Sequence, residues 1–258
     1  MENYESHLIL CQGDNWYPGA AFIGLVKPDT RTGVTLWLGD KENGTSCRLE
    51  PGEQMMFACL SQPIAVSAGR MHYFFALDFS ALCKLQAFLD AASPTKPQTL
   101  PQKKSGSGWG FAPFRVPHPV SFKQIERWFI TQSFSSSSEI ENIASVLRAS
   151  ENYWLVSFLL QKNAECTRLT ELGKSYGLSV SHFRRMARNA LGNTTKSELN
   201  SWRMARTLLE FIEGKRSLTE LAIKHGYASA SHFSNDVRMM FGLSPRGLKN
   251  VIMSEAEK

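Results

Sequence analysis

The sequence predicts an α+β protein. A β-rich N-terminal region of sandwich or cupin-like form precedes an all-α C-terminal domain, in which a long helix joins two helix-turn-helix units. Three observations predict this. Over the first ninety residues, short runs rich in β-branched and aromatic residues alternate with turn signals such as DKENG and LEPGE. Further on a motif recurs: LTELGKSYGLSVSHFRR starts at Leu169 and LTELAIKHGYASASHFSND at Leu218. The charge is also unevenly placed. Residues 1–163 hold 14 Lys and Arg against 14 Asp and Glu, whereas residues 164–258 hold 15 against 9, so the whole excess of +6 lies in the segment that carries the repeat.

In chain order, residues 1–97 form the β-rich region, read as a regulatory or partner-binding part. GVTLWLG and PGEQMMFACL predict strands, and PIAVSAGRMHYFFALDF predicts two more on either side of Gly69. SALCKLQAFLDAA has helical spacing. Residues 98–119, rich in Pro, Gly, Ser and Lys without periodicity, read as a linker. Residues 120–163 return to helical patterning and form intermediate helices. Their apolar stretch at Tyr153–Leu160 fits either a core helix or a surface for a dimer or co-activator. The same two readings apply to the apolar stretch Asn15–Val26.

Residues 164–258 form the repeat-bearing domain, with helix-turn-helix units at 169–191 and 218–241 and a linker helix at 195–213. The two copies match at an offset of 49 residues as far as Gly177 and Gly226, and at 50 from Ser181 and Ser231 onward. One residue is therefore inserted in the second turn. Ser217 and Glu220 have the spacing of a capping box, as do Thr195 and Glu198, while Arg168 occupies the equivalent N-cap position of the first copy. Gly177 and Gly226 let the chain leave each first helix.

A helical wheel sorts the second helix of each copy into two faces. Phe183, Met186, Ala187 and Ala190 point inward in the first copy, and Phe233, Val237, Met240 and Phe241 in the second. Ser181, His182, Arg185, Arg188 and Asn189 face outward in the first, and Ser231, His232, Asn235 and Arg238 in the second. Arg forks onto guanine, Asn pairs with adenine edges, and the other groups hold phosphates, so these nine residues are the candidate readers of a double-stranded DNA major groove. On the linker helix Leu199, Trp202, Ala205, Leu208, Leu209 and Ile212 form an apolar stripe opposite Lys196, Arg203, Arg206, Glu210 and Glu213. A helix of that length spans about 28 Å at 1.5 Å per residue, close to the roughly 34 Å of one DNA turn.

The segment from Thr167 to Asn250, and above all LTELAIKHGYASASHFSNDVRMMFGLSPRGLK, resembles the AraC/XylS family of bacterial transcription activators. It departs from that pattern at Ser201, at Asp236 and in Arg246-Gly247-Leu248-Lys249, which leaves the base preference open. Taken whole, including CQGDNWYPGAAFIGLV and the SWRMA stretch, the chain is most similar to the InvF-type activators of type III secretion genes. The resemblance implies a cytoplasmic bacterial activator of invasion genes that meets promoter DNA and RNA polymerase, with a type III secretion chaperone as co-activator and a homodimer as an available state.

Other classes have little in the sequence to carry them. No P-loop, H-E-x-x-H, G-x-S-x-G or G-x-G-x-x-G motif occurs, so an enzyme is not expected. Within the β-rich part only His7 and His72 are histidines, and they lie far apart, so neither a metal nor another cofactor is expected. The five cysteines are scattered and make no C-x-x-C pair, which fits reduced thiols in the cytoplasm. No apolar run is long enough to span a bilayer, and MENYESHLIL lacks the basic start of a signal peptide. The alternative function is an AraC-type regulator of a metabolic operon, with a small effector held among Trp16, Tyr17, Trp37, Tyr73 and Phe74.

Overall fold

The computed structural model describes residues 10–16, 21–28, 31, 33–38, 45–60, 64–93, 109–113, 122–135, 138–162, 168–214 and 216–256. They fall into two compact units, Met1–Ser157 and Phe158–Lys258.

The first unit contains β1 (Leu10–Cys11), β2 (Asn15–Trp16), β3 (Ala21–Pro28), β4 (Val34–Leu38), β5 (Thr45–Leu49), β6 (Met55–Leu60), β7 (Ile64–Ala76) and β8 (Trp109–Pro113). Its helices are α1 (Phe79–Ala92), α2 (Phe122–Ser133) and α3 (Ser138–Arg148), and the division between units falls inside α4 (Glu151–Lys162). The strands run antiparallel in the order β5-β4-β7-β3-β6-β8, with β1 and β2 also paired to β7. The two strands expected around Gly69 are one continuous strand that changes partner there. Ile64–Gly69 pairs with β4, and Met71–Ala76 pairs with β3. Gly69 has φ +83°, and a Cβ at that position would collide with the carbonyl oxygen of Gly33. Only glycine allows both the bend and the close approach. Val34, Leu36 and Ile64 from one half of the sheet pack with Val26, Phe57 and Cys59 from the other in a shared buried core. The sheet is thus folded on itself in the sandwich-like manner expected.

Residues 109–113 fall inside the predicted linker but form β8, hydrogen-bonded along β6. The Gly and Pro of WGFAP masked the strand pattern. Gly110 has a structural reason: a Cβ there would come within 2.7 Å of the Asn142 carbonyl oxygen, so its absence lets α3 lie directly on the strand. The rest of the predicted linker, 98–108 and 114–119, lies outside the described residues, as do His7 and Tyr17.

Asp78 caps α1 by accepting from the Ala81 N–H at 3.0 Å. At the other end Asp90 accepts two hydrogen bonds from Arg148 of α3, at 2.7 and 2.9 Å, and a third from the Tyr153 hydroxyl of α4 at 2.8 Å. Burial and the neighbouring Asp90 carboxylate raise the Tyr153 pKa, which keeps its proton in place as donor. Tyr153, Leu155, Val156, Phe158 and Leu159 of the apolar stretch of α4 are all buried, whereas Trp154, Ser157 and Leu160 are half-buried. In the earlier stretch Ile23, Leu25 and Val26 are buried and Ala21 and Phe22 half-buried, while residues 17–20 lie outside the described residues.

The second unit contains α5 (Leu169–Tyr176), α6 (Val180–Leu191), α7 (Thr195–Glu213), α8 (Leu218–Lys224), α9 (Ala230–Phe241) and α10 (Pro245–Ala256). Two helix pairs and the long helix between them stand where the repeat placed them. Helix α10 was not anticipated. Pro245 opens it and Ser244 accepts from the Gly247 N–H at 3.1 Å, a Ser-Pro helix start. Among the described residues no helix is long and apolar enough to cross a membrane.

Replacing Asp90 by Ala leaves the largely buried Arg148 with Glu141 as its remaining carboxylate and takes the acceptor from the Tyr153 hydroxyl. It should destabilise the first unit by about 3–5 kcal/mol, the cost of breaking a buried pair from one side. Urea unfolding of the full chain followed by circular dichroism checks this.

Candidate nucleic-acid interface

Each helix pair is closed by the same backbone device. Gly177 and Gly226 take φ values of +83° and +76°. The next residue's N–H then reaches back to a carbonyl of the first helix, Leu178 to Gly173 at 2.9 Å and Tyr227 to Ala222 at 2.8 Å. Serines open the second helices: Ser179 accepts from the His182 N–H at 3.4 Å and Ser229 from the His232 N–H at 3.1 Å. From glycine to capping serine is two residues in the first copy and three in the second, which locates the inserted residue in the turn.

The N-caps largely follow the sequence. Ser217 and Glu220 form the expected reciprocal box. Arg168 stands at the N-cap of α5, and Glu171 accepts its backbone N–H at 3.4 Å, the half of the box that does not need a side-chain acceptor at the cap. On α7 the cap is Thr194, which accepts from the Ser197 N–H at 3.3 Å, and not Thr195. Thr195 is instead buried at the first helical position.

Phe183 and Phe233 are fully buried. Phe183 meets Phe158 and Tyr176 with ring centroids 6.4 and 5.8 Å apart. Phe233 meets Tyr227 at 5.2 Å, and the Arg203 guanidinium lies 4.8 Å above the Tyr227 ring. With the phenylalanines inward, Ser181, His182, Arg185, Arg188 and Asn189 of α6 and Ser231, His232, Asn235 and Arg238 of α9 are all exposed. The nine predicted residues thus occupy the solvent sides of their helices. Asp236 lies 4.0 Å from His232, so the second face also carries a carboxylate.

The wheel misplaced the end of α9. Met240 and Phe241 are 56% and 47% exposed, although their counterparts Ala190 and Leu191 in α6 are buried. Helix α9 packs on α7, α8 and α10, and these leave its last turn open to solvent. On α7, Ala205 and Leu209 are exposed as well, and Met204 and Thr207 join Trp202 and Leu208 on the buried side.

A groove of about 1050 Å³ runs between the two helix pairs. Its walls carry Lys162 and Arg168 before α5, Arg184 and Arg188 of α6, Lys196, Arg203 and Arg206 of α7, and Lys224 of α8. Against these eight cations stands one carboxylate, Glu210, which binds Lys224 at 2.7 Å and lies 3.2 Å from the His225 imidazole. The Lys224 hydrogen bond holds the Glu210 pKa below its ordinary value, while burial pushes that of His225 down despite Glu210 beside it. Sequence reasoning missed this groove. The signal was the row Lys196, Arg203, Arg206 on α7, which reads as a solvated helix face until the tertiary structure brings α6 and α8 beside it.

Two helix-turn-helix units joined by one long helix, each with a polar, cation-bearing second helix, make up the candidate nucleic-acid interface. A family model described as a helix-turn-helix domain matches residues 172–250. Invasion protein InvF of Salmonella typhimurium is 45% identical over 130 residues, covering 50% of this chain and 60% of that protein. Transcriptional regulator MxiE of Shigella flexneri is 39% identical over 121 residues, covering 46% and 57%. The match therefore spans about three-fifths of each curated relative. The crystal structure of ToxT from Vibrio cholerae O395 aligns over 93% of this chain and 94% of its own, with a TM-score of 0.37 and 11% identity.

Phe183→Ala and Phe233→Ala should each lower the stability of the second unit by roughly 3–5 kcal/mol. Arg185→Ala and Arg238→Ala, both exposed, should leave it within about 0.5 kcal/mol. Thermal melts of the four variants check the two faces, and equal losses would overturn the assignment.

Proposed function

We propose that this chain is a sequence-specific DNA-binding activator of transcription, acting in the bacterial cytoplasm at promoters of type III secretion and invasion genes. The observation that carries the reading is the matched pair of exposed helix faces on α6 and α9, rotated outward by Phe183 and Phe233. Arg185, Arg188 and Asn189 on one, and Asn235 and Arg238 on the other, have the donor geometry for base edges, with Ser181, His182, Ser231 and His232 at phosphates or flanking bases. The relatives named as an invasion protein and a transcriptional regulator support the choice of target genes.

Output requires more than DNA. In this reading RNA polymerase is recruited at the promoter, and a type III secretion chaperone acts as co-activator through a surface outside the helix-turn-helix domain. A homodimer is compatible with the reading but not needed for it, since one chain already holds two DNA-reading helices.

Duplex binding by the full chain should weaken steeply with salt, because phosphate contacts release counterions. Arg185→Ala and Arg238→Ala should each cost about 1–3 kcal/mol on the target promoter and relax base preference at one position. In cells lacking the chaperone, promoter occupancy should persist while reporter output falls. Full output without any chaperone would remove the co-activator from this account.

A further inference from the structure

We propose that the groove between the two helix pairs is a phosphate-binding cleft, filled by the backbone of the DNA strand that passes from one recognition helix to the other. This rests on the DNA-binding reading above and adds to it a second site, distinct from the base-reading faces. Eight cations line one groove with a single carboxylate, and that carboxylate is already held by Lys224. Among the described residues no ion pair holds Arg184, Arg188 or Lys196. Cations gathered this closely repel one another, and an anion from outside is what relieves the repulsion. Leu159, Leu169, Leu172, Leu199 and Ile223 line the groove between these cations, so any occupant also meets an apolar wall, to which the Arg and Lys stems add.

The head of the groove is the N-terminus of α7, a 19-residue helix. Helix starts present unpaired N–H groups and a positive dipole end to an anion. Thr194 satisfies one of them, the Ser197 N–H. Beside it Thr195 lines the groove, only 5% exposed, and its hydroxyl has no hydrogen-bond partner among the described residues. A buried hydroxyl left without a partner is costly unless something completes it. Arg184 and Arg188 enter from α6, one turn apart, and Arg188 also belongs to the outward set of that helix. The groove is therefore continuous with the outward face of α6, and on the other side it reaches α8 and the turn at Gly226 that leads to α9. A phosphodiester arriving along α6 meets Arg184, Arg188, Lys196 and the first turn of α7 together.

The test uses the full chain, a non-specific duplex about three helical turns long, and salt varied from about 50 to 200 mM. Neither Arg184 nor Lys196 belongs to the base-reading set, and both are exposed, so Arg184→Gln with Lys196→Gln should leave the melting temperature unchanged. The double variant should show a salt slope smaller by roughly 1.8, about 0.9 for each lost phosphate contact, with the ranking among duplexes of different sequence preserved. Lys196→Gln alone should lose about half of that change. A wild-type chain that binds DNA and a double variant with the same slope would overturn the proposal while leaving the DNA-binding reading in place. Inorganic phosphate or polyglutamate that binds the DNA-free wild type and not the double variant, with the slope unchanged, would give the cleft to a free anion or an acidic partner instead. A wild-type chain that binds no duplex at low salt would sink the DNA-binding reading, and this proposal with it.

Discussion

Phe183 and Phe233 sit in the cores of their helix pairs with no exposed surface, and their burial fixes the rotation of α6 and α9 about their axes. A helix advances 100° per residue, so one anchored position settles where every other side chain on it points. With Phe183 inward, Arg185 and Asn189 have no choice but solvent, and the same logic turns Asn235 and Arg238 outward from Phe233. Left-handed glycines set the angle between the helices of each pair, and capping serines set where the second helix begins. The exposed chemistry of the second unit follows from one aromatic contact, one turn and one cap, written twice.

Local grammar made most of this legible in advance. Helix periodicity, the Ser217–Glu220 box, the turn glycines and the repeat are all short-range features, and short-range physics acts on a few neighbouring residues that can be read directly. Failures came where a distant segment decided the outcome. Met240 and Phe241 follow the same wheel as Ala190 and Leu191, but their burial depends on whether another helix covers them. Gly110 reads as linker because the reason for it, close contact with α3, lies some thirty residues further along the chain. Gly69 looked like a break between strands and is instead a bend in one strand, since the partners on its two sides come from β4 and β3. Thr194 and Thr195 are adjacent hydroxyl residues with equal claims to the cap on sequence grounds. The choice depends on where the preceding chain turns.

The candidate site divides the same way. Its nine outward residues could be named from the wheel because exposure on an isolated helix is a matter of angle. The cationic groove could not, because its walls come from α4 to α8 and its charge density exists only after folding. In the first unit the organising contact, Asp90 with Arg148 and Tyr153, also joins α1 to α3 and α4, some sixty residues further along the chain. No periodicity predicts which acid will meet which base.

The turn of the second helix pair holds one more residue than that of the first, and the two outward faces differ in composition, with His182, Arg185 and Asn189 on one and Asn235, Asp236 and Arg238 on the other. The two halves of the domain are not interchangeable. A protein with two identical reading heads can settle on a symmetric site in either direction. One with two unlike heads on a rigid bar fits its site in a single direction only. The spare residue in the second turn, together with the unlike faces, therefore gives the domain a front and a back: under the function proposed above, a single copy would mark on double-stranded DNA not only a place but an arrow.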